Sequence, residues 1–205
     1  MKKSILFLLT PVLVLLFSFS DQSNGDLQIG DYMPLGATMV KDISGEDILM
    51  RSLVKDNGLL VIFSCNGCPF VKAWEDRYPE LGDLTSSNDI GMVLVNSNEA
   101  KRDGEDSFDE MAAHAREAGY NTPYVVDTDH KLADAFGART TPHVYLFNKD
   151  MMLVYKGAID NMYEVNPQVA TEFYLKDAIE SMIAGEKIDP AETTNKGCSI
   201  KRVKR

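Results

Sequence analysis

Residues 59–70 of the chain read LLVIFSCNGCPF, and this stretch decides the fold. It opens with an apolar run, 59–63, that is typical of a strand buried on both faces of a sheet. Cys65 and Cys68 follow, and Pro69 favours the first turn of a helix because that position has no N–H partner to lose. The sequence therefore predicts a strand-to-helix junction that carries a pair of thiols.

A thiol at the start of a helix has a lower pKa than a thiol in water. Unpaired backbone N–H groups and the helix dipole stabilise negative charge there, so we expect the Cys65 thiol to have a lowered pKa and to attack disulfides. Cys68 lies one turn further and can close a ring with Cys65. The predicted reaction is thiol–disulfide exchange, in which Cys65 attacks and Cys68 resolves the mixed disulfide.

Two other interpretations of the pair are a disulfide that only fixes the helix start and part of a metal site. A structural zinc site usually needs four ligands. The three histidines, His114, His130 and His143, have no ligand-type spacing to the pair. We therefore favour redox chemistry and expect no metal and no cofactor besides the redox-active disulfide.

The whole composition is that of a soluble globular protein. Its 205 residues suffice for one domain with a core, and its formal charge of -10 disfavours nucleic acid as a partner. Three cysteines do not make a framework of structural disulfides, which would want an even number. The third, Cys198, is either a thiol that works with the pair or a partner, or a free cysteine in a mobile tail.

Residues 1–20 have the pattern of a secretory signal peptide. Lys2 and Lys3 precede an apolar run, 5–17, and small residues near Ser20 offer a cleavage site. The run is short for a membrane span, which needs about 20 apolar residues, and an uncleaved anchor is the alternative. We predict cleavage near Ser20, no stable membrane insertion afterwards, and a periplasmic or otherwise extracytoplasmic location that permits disulfide chemistry.

The remaining chain alternates strand and helix signals. We expect a flexible lead-in at 21–30, a domain at 31–185 and a polar tail at 186–205. Apolar runs predict strands at 37–40, 59–63, 91–96, 124–126, 144–147 and 152–155, and helical spacing predicts helices after Ser44 and at 69–84, 108–118, 131–136 and 171–184. The order predicts an α/β domain, with a central mixed sheet flanked by helices, a closing β-hairpin and a C-terminal helix.

This order resembles the thioredoxin-like superfamily, and more closely the exported redoxins grouped with alkyl hydroperoxide reductase and thiol-specific antioxidant (AhpC/TSA) proteins. The matching words are LVIFSCNGCPFVK (60–72), VNSN (95–98), PYVVD (123–127), FGA (136–138), TP (141–142) and GCSIK (197–201). The resemblance implies a thioredoxin-like fold. It also implies an oxidoreductase that acts on protein thiols or disulfides together with an upstream redox partner.

The resemblance extends to the residues around the pair. It implies a cis Pro142 that faces the cysteines, with the backbone of Thr141 pairing with an incoming peptide, and Asn66 and Gly67 beside the substrate. His143 directly follows this proline and is a candidate accessory residue that could tune the pair. A partly solvated histidine at a strand start is the alternative. Cys198, in the last matching word, is the second candidate accessory residue.

Two departures from the related families bear on function. Peroxiredoxins resemble one another in a Pro-x-x-x-Thr/Ser-x-x-Cys word, and the matching positions here are Gly58 and Ile62, so the hydroxyl that helps to bind peroxide is missing. Thioredoxins carry an aspartate six residues before the first cysteine, where this chain has Leu59, and no proton acceptor for Cys68 is identified. We expect a disulfide oxidoreductase; the alternatives are a thiol-dependent peroxidase and a non-catalytic metal- or partner-binding module.

Overall fold

The computed structural model describes residues 25–203, and a seven-stranded sheet is its central layer. The strands are β1 Met39–Asp42, β2 Asp47–Leu49, β3 Gly58–Ser64, β4 Ile90–Asn96, β5 Tyr124–Val126, β6 Thr140–Thr141, β7 His143–Phe147, β8 Leu153–Gly157 and β9 Cys198–Ser199. The α-helices are α1 Pro69–Trp74, α2 Arg77–Ser87, α3 Phe108–Glu117, α4 Lys131–Phe136 and α5 Tyr174–Ala184. The large sheet has the order β2-β1-β5-β4-β3-β7-β8, and β6 pairs with β9 in a separate two-stranded sheet.

The strand directions make the large sheet mixed. β3 runs parallel to β4, which runs parallel to β5, while β7 is antiparallel to β3 and forms a hairpin with β8. Val61 lies opposite Val93 on one side and Tyr145 on the other. The predicted thioredoxin-like α/β fold with a closing hairpin is confirmed.

The central strand β3 is buried along its whole length and separates two core clusters. Leu60 and Ile62 pack in the cluster that contains both cysteines of the pair. The alternate residues Val61 and Phe63 pack in the other, because successive side chains of a strand point to opposite faces. The face on which a residue packs therefore decides whether it can reach the thiols.

The helix predicted after Ser44 is wrong. Residues 47–49 instead form β2, which pairs antiparallel with β1 and places Ile48 opposite Val40. A tight turn joins the two strands: Gly45 has φ +91, and the Asp42 carboxylate accepts a hydrogen bond from the Ser44 amide. Turn chemistry therefore overrides the helix-capping signal, and only a short 3-10 helix, Met50–Leu53, follows.

The predicted helix 69–84 is divided into α1 and α2, with the break at residues 75–76. Pro79 lies in the first turn of α2. It lacks the N–H that would bond to Glu75, and its ring crowds that carbonyl. The break therefore falls four residues before the proline.

Both segments predicted to flank the domain pack against it within the described residues. In the lead-in, Leu27 is 3% exposed and its carbonyl accepts a hydrogen bond from buried Lys156. In the tail, Ile200 joins the core cluster of Phe63, and Arg202 Nε donates to Asp134 at 2.7 Å. The packed structure thus extends beyond the predicted boundary at residue 185, because apolar and charged tail residues find partners on the domain.

The predicted signal peptide and its cleavage near Ser20 lie outside the described residues. Across residues 25–203, none of the helices has the length and apolar character required to cross a bilayer.

Candidate active site

The cysteine pair lies where β3 ends and α1 begins. Cys68 is the N-cap residue of α1, and Pro69 occupies the first helical position. Cys65 is 2% exposed and Cys68 is 3% exposed, and both are free thiols. The junction is as predicted, but the pair is covered in this reduced form.

Thr141, in β6, contacts both sulfurs of the pair. Its Oγ1 lies 3.2 Å from Cys65 Sγ, and its carbonyl oxygen lies 3.2 Å from Cys68 Sγ. The Thr141–Pro142 peptide bond is cis, as the resemblance implied. The structure therefore brings together four of the predicted site residues: both cysteines, Thr141 and Pro142.

The two thiols influence each other, and the pKa of Cys65 is raised rather than lowered as predicted. A hydrogen bond to Cys68, followed by burial, raises the pKa of Cys65. The same bond lowers the pKa of Cys68 to about 4, with help from the backbone N–H groups of Val71 and Cys198. The physical reason is position, since Cys68 rather than Cys65 is the N-cap residue of α1 and lies near the Val71 N–H.

The contacts with Thr141 instead favour a negative charge on Cys65 and a proton on Cys68. A carbonyl oxygen only accepts hydrogen bonds, so the Thr141 carbonyl pairs with a protonated Cys68. The Thr141 hydroxyl can donate to an ionised Cys65. Transfer of a proton from Cys65 to Cys68 therefore gives a Cys65 thiolate that can accept a hydrogen bond from the Thr141 hydroxyl.

A buried polar network fixes the loop between the cysteines. The Asp106 side chain accepts hydrogen bonds from the Asn66 backbone N–H and the Asn96 side chain, each at 2.8 Å, and from the Asn98 side chain at 2.9 Å. The Asn66 side chain donates to the Glu105 carbonyl and accepts from the Tyr124 hydroxyl. The Asn66 side chain therefore forms its hydrogen bonds within the protein.

The two residues between the cysteines thus differ in what they offer a substrate. Asn66 is 7% exposed and holds the loop in place, which corrects the prediction that it contacts substrate. Gly67 is exposed, and the Glu105 carboxylate lies close above it. Of the two, only Gly67 presents a surface to a partner.

His143 contacts Tyr145 rather than a cysteine, and its tuning role stays a prediction. Its Nδ1 lies 3.2 Å from the Tyr145 hydroxyl, and its ring stacks on the Tyr145 ring at 4.6 Å. Tyr145 belongs to the core cluster of Phe63, on the face of the sheet away from the cysteines. Burial lowers the pKa of His143 to about 4, so the ring is neutral at pH 7.

Cys198, by contrast, is brought to the site. It lies directly opposite Thr141 in the β6–β9 pairing, and its thiol is hydrogen-bonded to Cys68. It is partly buried, unlike the fully buried pair.

Asp106 is a site residue that the sequence does not single out. It lies in a charged stretch, 97–107, and it is completely buried. Its charge raises the pKa of Cys65. A local signal does exist, since Asn96 ends the buried strand β4, Asn98 follows it, and buried amides need partners.

A buried carboxylate also anchors the helix that carries the pair. Trp74 Nε1 at the end of α1 donates to Asp160 Oδ1 at 2.7 Å, and Arg77 Nε lies 2.7 Å from Asp160 Oδ2. Asp160 is 2% exposed and belongs to the segment that follows β8. This contact fixes the junction of α1 and α2 to the domain.

We expect Asp160→Ala to lower the free energy of unfolding by about 2 to 3 kcal/mol, because it leaves Trp74 and a partly exposed Arg77 without their partner. Asp160→Asn keeps an acceptor for Trp74 and should lose about half as much. Urea unfolding of the three proteins measures the difference. An unchanged midpoint for Asp160→Ala would contradict this role.

Across residues 25–203, three or more His, Cys, Asp or Glu side chains are nowhere arranged as the ligands of a metal ion.

The fold and the paired cysteines define a thioredoxin-like redoxin. The AhpC/TSA family matches residues 29–156, more than half of the chain, and the chain belongs to this family. None of the curated proteins matches it significantly.

Several solved structures are similar to this chain. A hypothetical protein from Sinorhizobium meliloti 1021 is 25% identical with a TM-score of 0.80, and the match covers 88% of this chain and 98% of that one. An uncharacterized conserved protein from Geobacillus kaustophilus is 27% identical with a TM-score of 0.79, covering 87% and 94%. A secreted Mycobacterium tuberculosis disulfide oxidoreductase is 14% identical with a TM-score of 0.53, covering 73% and 96%, a likeness that shows the fold alone.

Proposed function

We propose that this protein is a thiol–disulfide oxidoreductase whose redox centre is the Cys65–Cys68 pair. The observation that carries the proposal is that Thr141, next to the cis Pro142, has an oxygen 3.2 Å from each sulfur of the pair. Its hydroxyl can donate to a Cys65 thiolate, which is the form of cysteine that attacks disulfides.

The proposed reaction has two steps. The proton moves from Cys65 to Cys68, and the Cys65 thiolate attacks one sulfur of a substrate disulfide, whose other sulfur leaves as a thiolate and takes up a proton. Cys68 then gives up its proton to the departing substrate sulfur and attacks Cys65 Sγ. The bond between Cys65 and the substrate breaks, the Cys65–Cys68 disulfide forms, and the second substrate sulfur leaves as a thiol. Two electrons pass from the pair to the substrate, and the reverse sequence oxidises a dithiol.

Access to the buried pair requires β9 to separate from β6. Only two residue pairs join these strands, Thr140 with Ser199 and Thr141 with Cys198. A substrate peptide would then pair with the freed Thr141 backbone and lie beside exposed Gly67. The partners proposed are protein thiols or disulfides and an upstream redox protein.

We also propose an extracytoplasmic location, in which the predicted signal peptide of residues 1–20 is removed. An oxidising compartment would allow the pair to cycle through its disulfide form. N-terminal sequencing of the protein recovered from its own cell tests this part. A mature chain that still begins at Met1 would contradict it.

A thiol-dependent peroxidase is the second candidate, and membership of the AhpC/TSA family favours it. The buried apolar Ile62 at the position of the expected hydroxyl weighs against it. One experiment compares both: the full-length protein is given either insulin or a hydroperoxide, with dithiothreitol as reductant. We expect insulin reduction well above the dithiothreitol background and no comparable hydroperoxide consumption. The opposite pattern would replace the first proposal with the second.

A further inference from the structure

The two-residue strand β9 directs the third thiol toward the pair. Residues that lie directly opposite in antiparallel strands point to the same face. Cys198 lies opposite Thr141, and the Thr141 hydroxyl is 3.2 Å from Cys65 Sγ. The Cys198 side chain therefore shares the face on which the pair lies, whereas Ser199 points the other way.

The segment around β9 is held closely against the domain. Gly197 packs so tightly that an added Cβ would lie 2.3 Å from the Thr141 carbonyl oxygen, so this approach requires glycine. On the other side, Ile200 N donates to the Arg139 carbonyl at 2.9 Å and Lys201 N donates to the Asn98 side chain at 2.8 Å. Contacts of the residues before and after Cys198 therefore hold it in position.

The contacts of the Cys198 sulfur are those of a redox neighbour. Cys198 packs against the cluster that contains Cys65 and Cys68, and Cys68 and the Phe70 backbone N–H both act on its pKa. Burial and the adjacent Cys68 raise the pKa of Cys198 in the reduced protein. The Cys68 sulfur is therefore flanked by two thiols, Cys65 on one side and Cys198 on the other.

We propose that Cys198 is a third redox residue, which attacks Cys68 in the oxidised pair and takes the disulfide over from Cys65. Cys198 gives up its proton and its sulfur bonds to Cys68 Sγ. The Cys65–Cys68 bond breaks, and Cys65 leaves as a thiolate that takes up the proton. No electrons are gained or lost, because one disulfide replaces another. This inference rests on the proposed exchange function, since it begins from the Cys65–Cys68 disulfide.

Oxidation of the pair makes Cys198 a better nucleophile. Two of the causes that raise its pKa come from Cys68, a hydrogen bond and a negative charge, and both disappear when that sulfur joins a disulfide. The Phe70 N–H and the charge of Lys201, which lower the pKa, remain. Burial, the largest cause of the raised pKa, also remains, so oxidation of the pair lowers the pKa of Cys198 by the part that Cys68 contributes.

Transfer also moves the disulfide outward. Cys65 is 2% exposed, whereas Cys198 is only partly buried in a strand at the protein surface. A reductant that attacks the disulfide from Cys198 needs no entry to the buried sulfur of Cys65. The upstream redox protein would thus reach Cys198 first.

The test uses the Cys65→Ser protein, which retains Cys68 and Cys198 as its two thiols. One equivalent of diamide removes two electrons and two protons from a thiol pair. We expect no free thiol to remain in the denatured, monomeric protein. A tryptic digest without reductant should contain peptide 56–72 linked to peptide 197–201.

The control moves the thiol by one residue, in Cys65→Ser/Cys198→Ser/Ser199→Cys. Its new thiol points away from the pair, and both of its thiols should remain free. Two free thiols in Cys65→Ser, a disulfide between two molecules, or the same link in the control would each overturn the proposal. If Cys65→Ser does not fold, wild type oxidised in the same way should show the linked peptides, and Cys198→Ser should not.

The same digest separates this inference from the proposed function. A Cys65–Cys68 disulfide stays within peptide 56–72, because no lysine or arginine lies between the two cysteines. Insulin reduction by wild type without the linked peptides would refute only the role of Cys198. Linked peptides without insulin reduction would refute only the proposed function.

Discussion

Replacement of Cys65 by serine should abolish the reduction of a protein disulfide. The reaction requires a sulfur that bonds to the substrate, and a serine hydroxyl does not exchange with disulfides. We expect the rate of insulin reduction to fall to that of dithiothreitol alone. Ser199→Ala, an exposed change beside Cys198, serves as the control and should keep the wild-type rate.

Cys68→Ser should fail in a different way. Cys65 can still attack, but the thiol that resolves the product, Cys68, is gone, so a mixed disulfide with the substrate accumulates. It should appear on a non-reducing gel and disappear on reduction. Turnover by Cys65→Ser would remove Cys65 from the mechanism, and a mixed disulfide in Cys65→Ser but not in Cys68→Ser would reverse the order of attack.

The second large effect concerns stability. We expect Asp106→Ala to lower the free energy of unfolding by about 4 kcal/mol, because three N–H donors lose their acceptor in a fully buried site. Asp106→Asn keeps one acceptor oxygen and should lose about half as much. Urea unfolding measures both, and a wild-type midpoint for Asp106→Ala would contradict the role of this network.

The Asp106 variants also test the electrostatics of the pair. The charge of Asp106 raises the pKa of Cys65, so Asp106→Asn should lower that pKa while it preserves most of the fold. Ultraviolet absorbance of the thiolate, followed as a function of pH, measures the shift. An increase in the pKa of Cys65 would mean that the altered loop geometry has a larger effect on this pKa than the loss of the Asp106 charge.

The parts of the fold that the sequence predicts are those with strong local signals. β3 and β4 are buried along their whole length and consist mostly of apolar residues, because both of their faces are covered, and such runs are recognisable without knowledge of the partner strands. The break before α1 is marked by Cys68 and Pro69. A cis Pro142 required the family resemblance, since nothing in its neighbouring residues distinguishes it from a trans proline.

The parts that the sequence does not predict depend on contacts between distant residues. β9 has two residues, and its identity as a strand comes only from Thr140 and Thr141, far away in the chain. Asp106 is one acid among many in a charged stretch, and only the folded arrangement shows that this one turns inward. The lowered pKa of Cys68 likewise depends in part on Cys198, which no local pattern connects with it.

The position of β9 far along the chain affects when, during synthesis, the surroundings of the cysteine pair are complete. A chain is made from its N-terminus, so residues 197–202 arrive after the sheet, the helices and both paired cysteines. A chain that has formed its sheet but has not yet docked residues 197–202 lacks β9 beside Thr141, the residue that contacts both sulfurs. Docking of β9 is therefore the folding step that completes the surroundings of the pair.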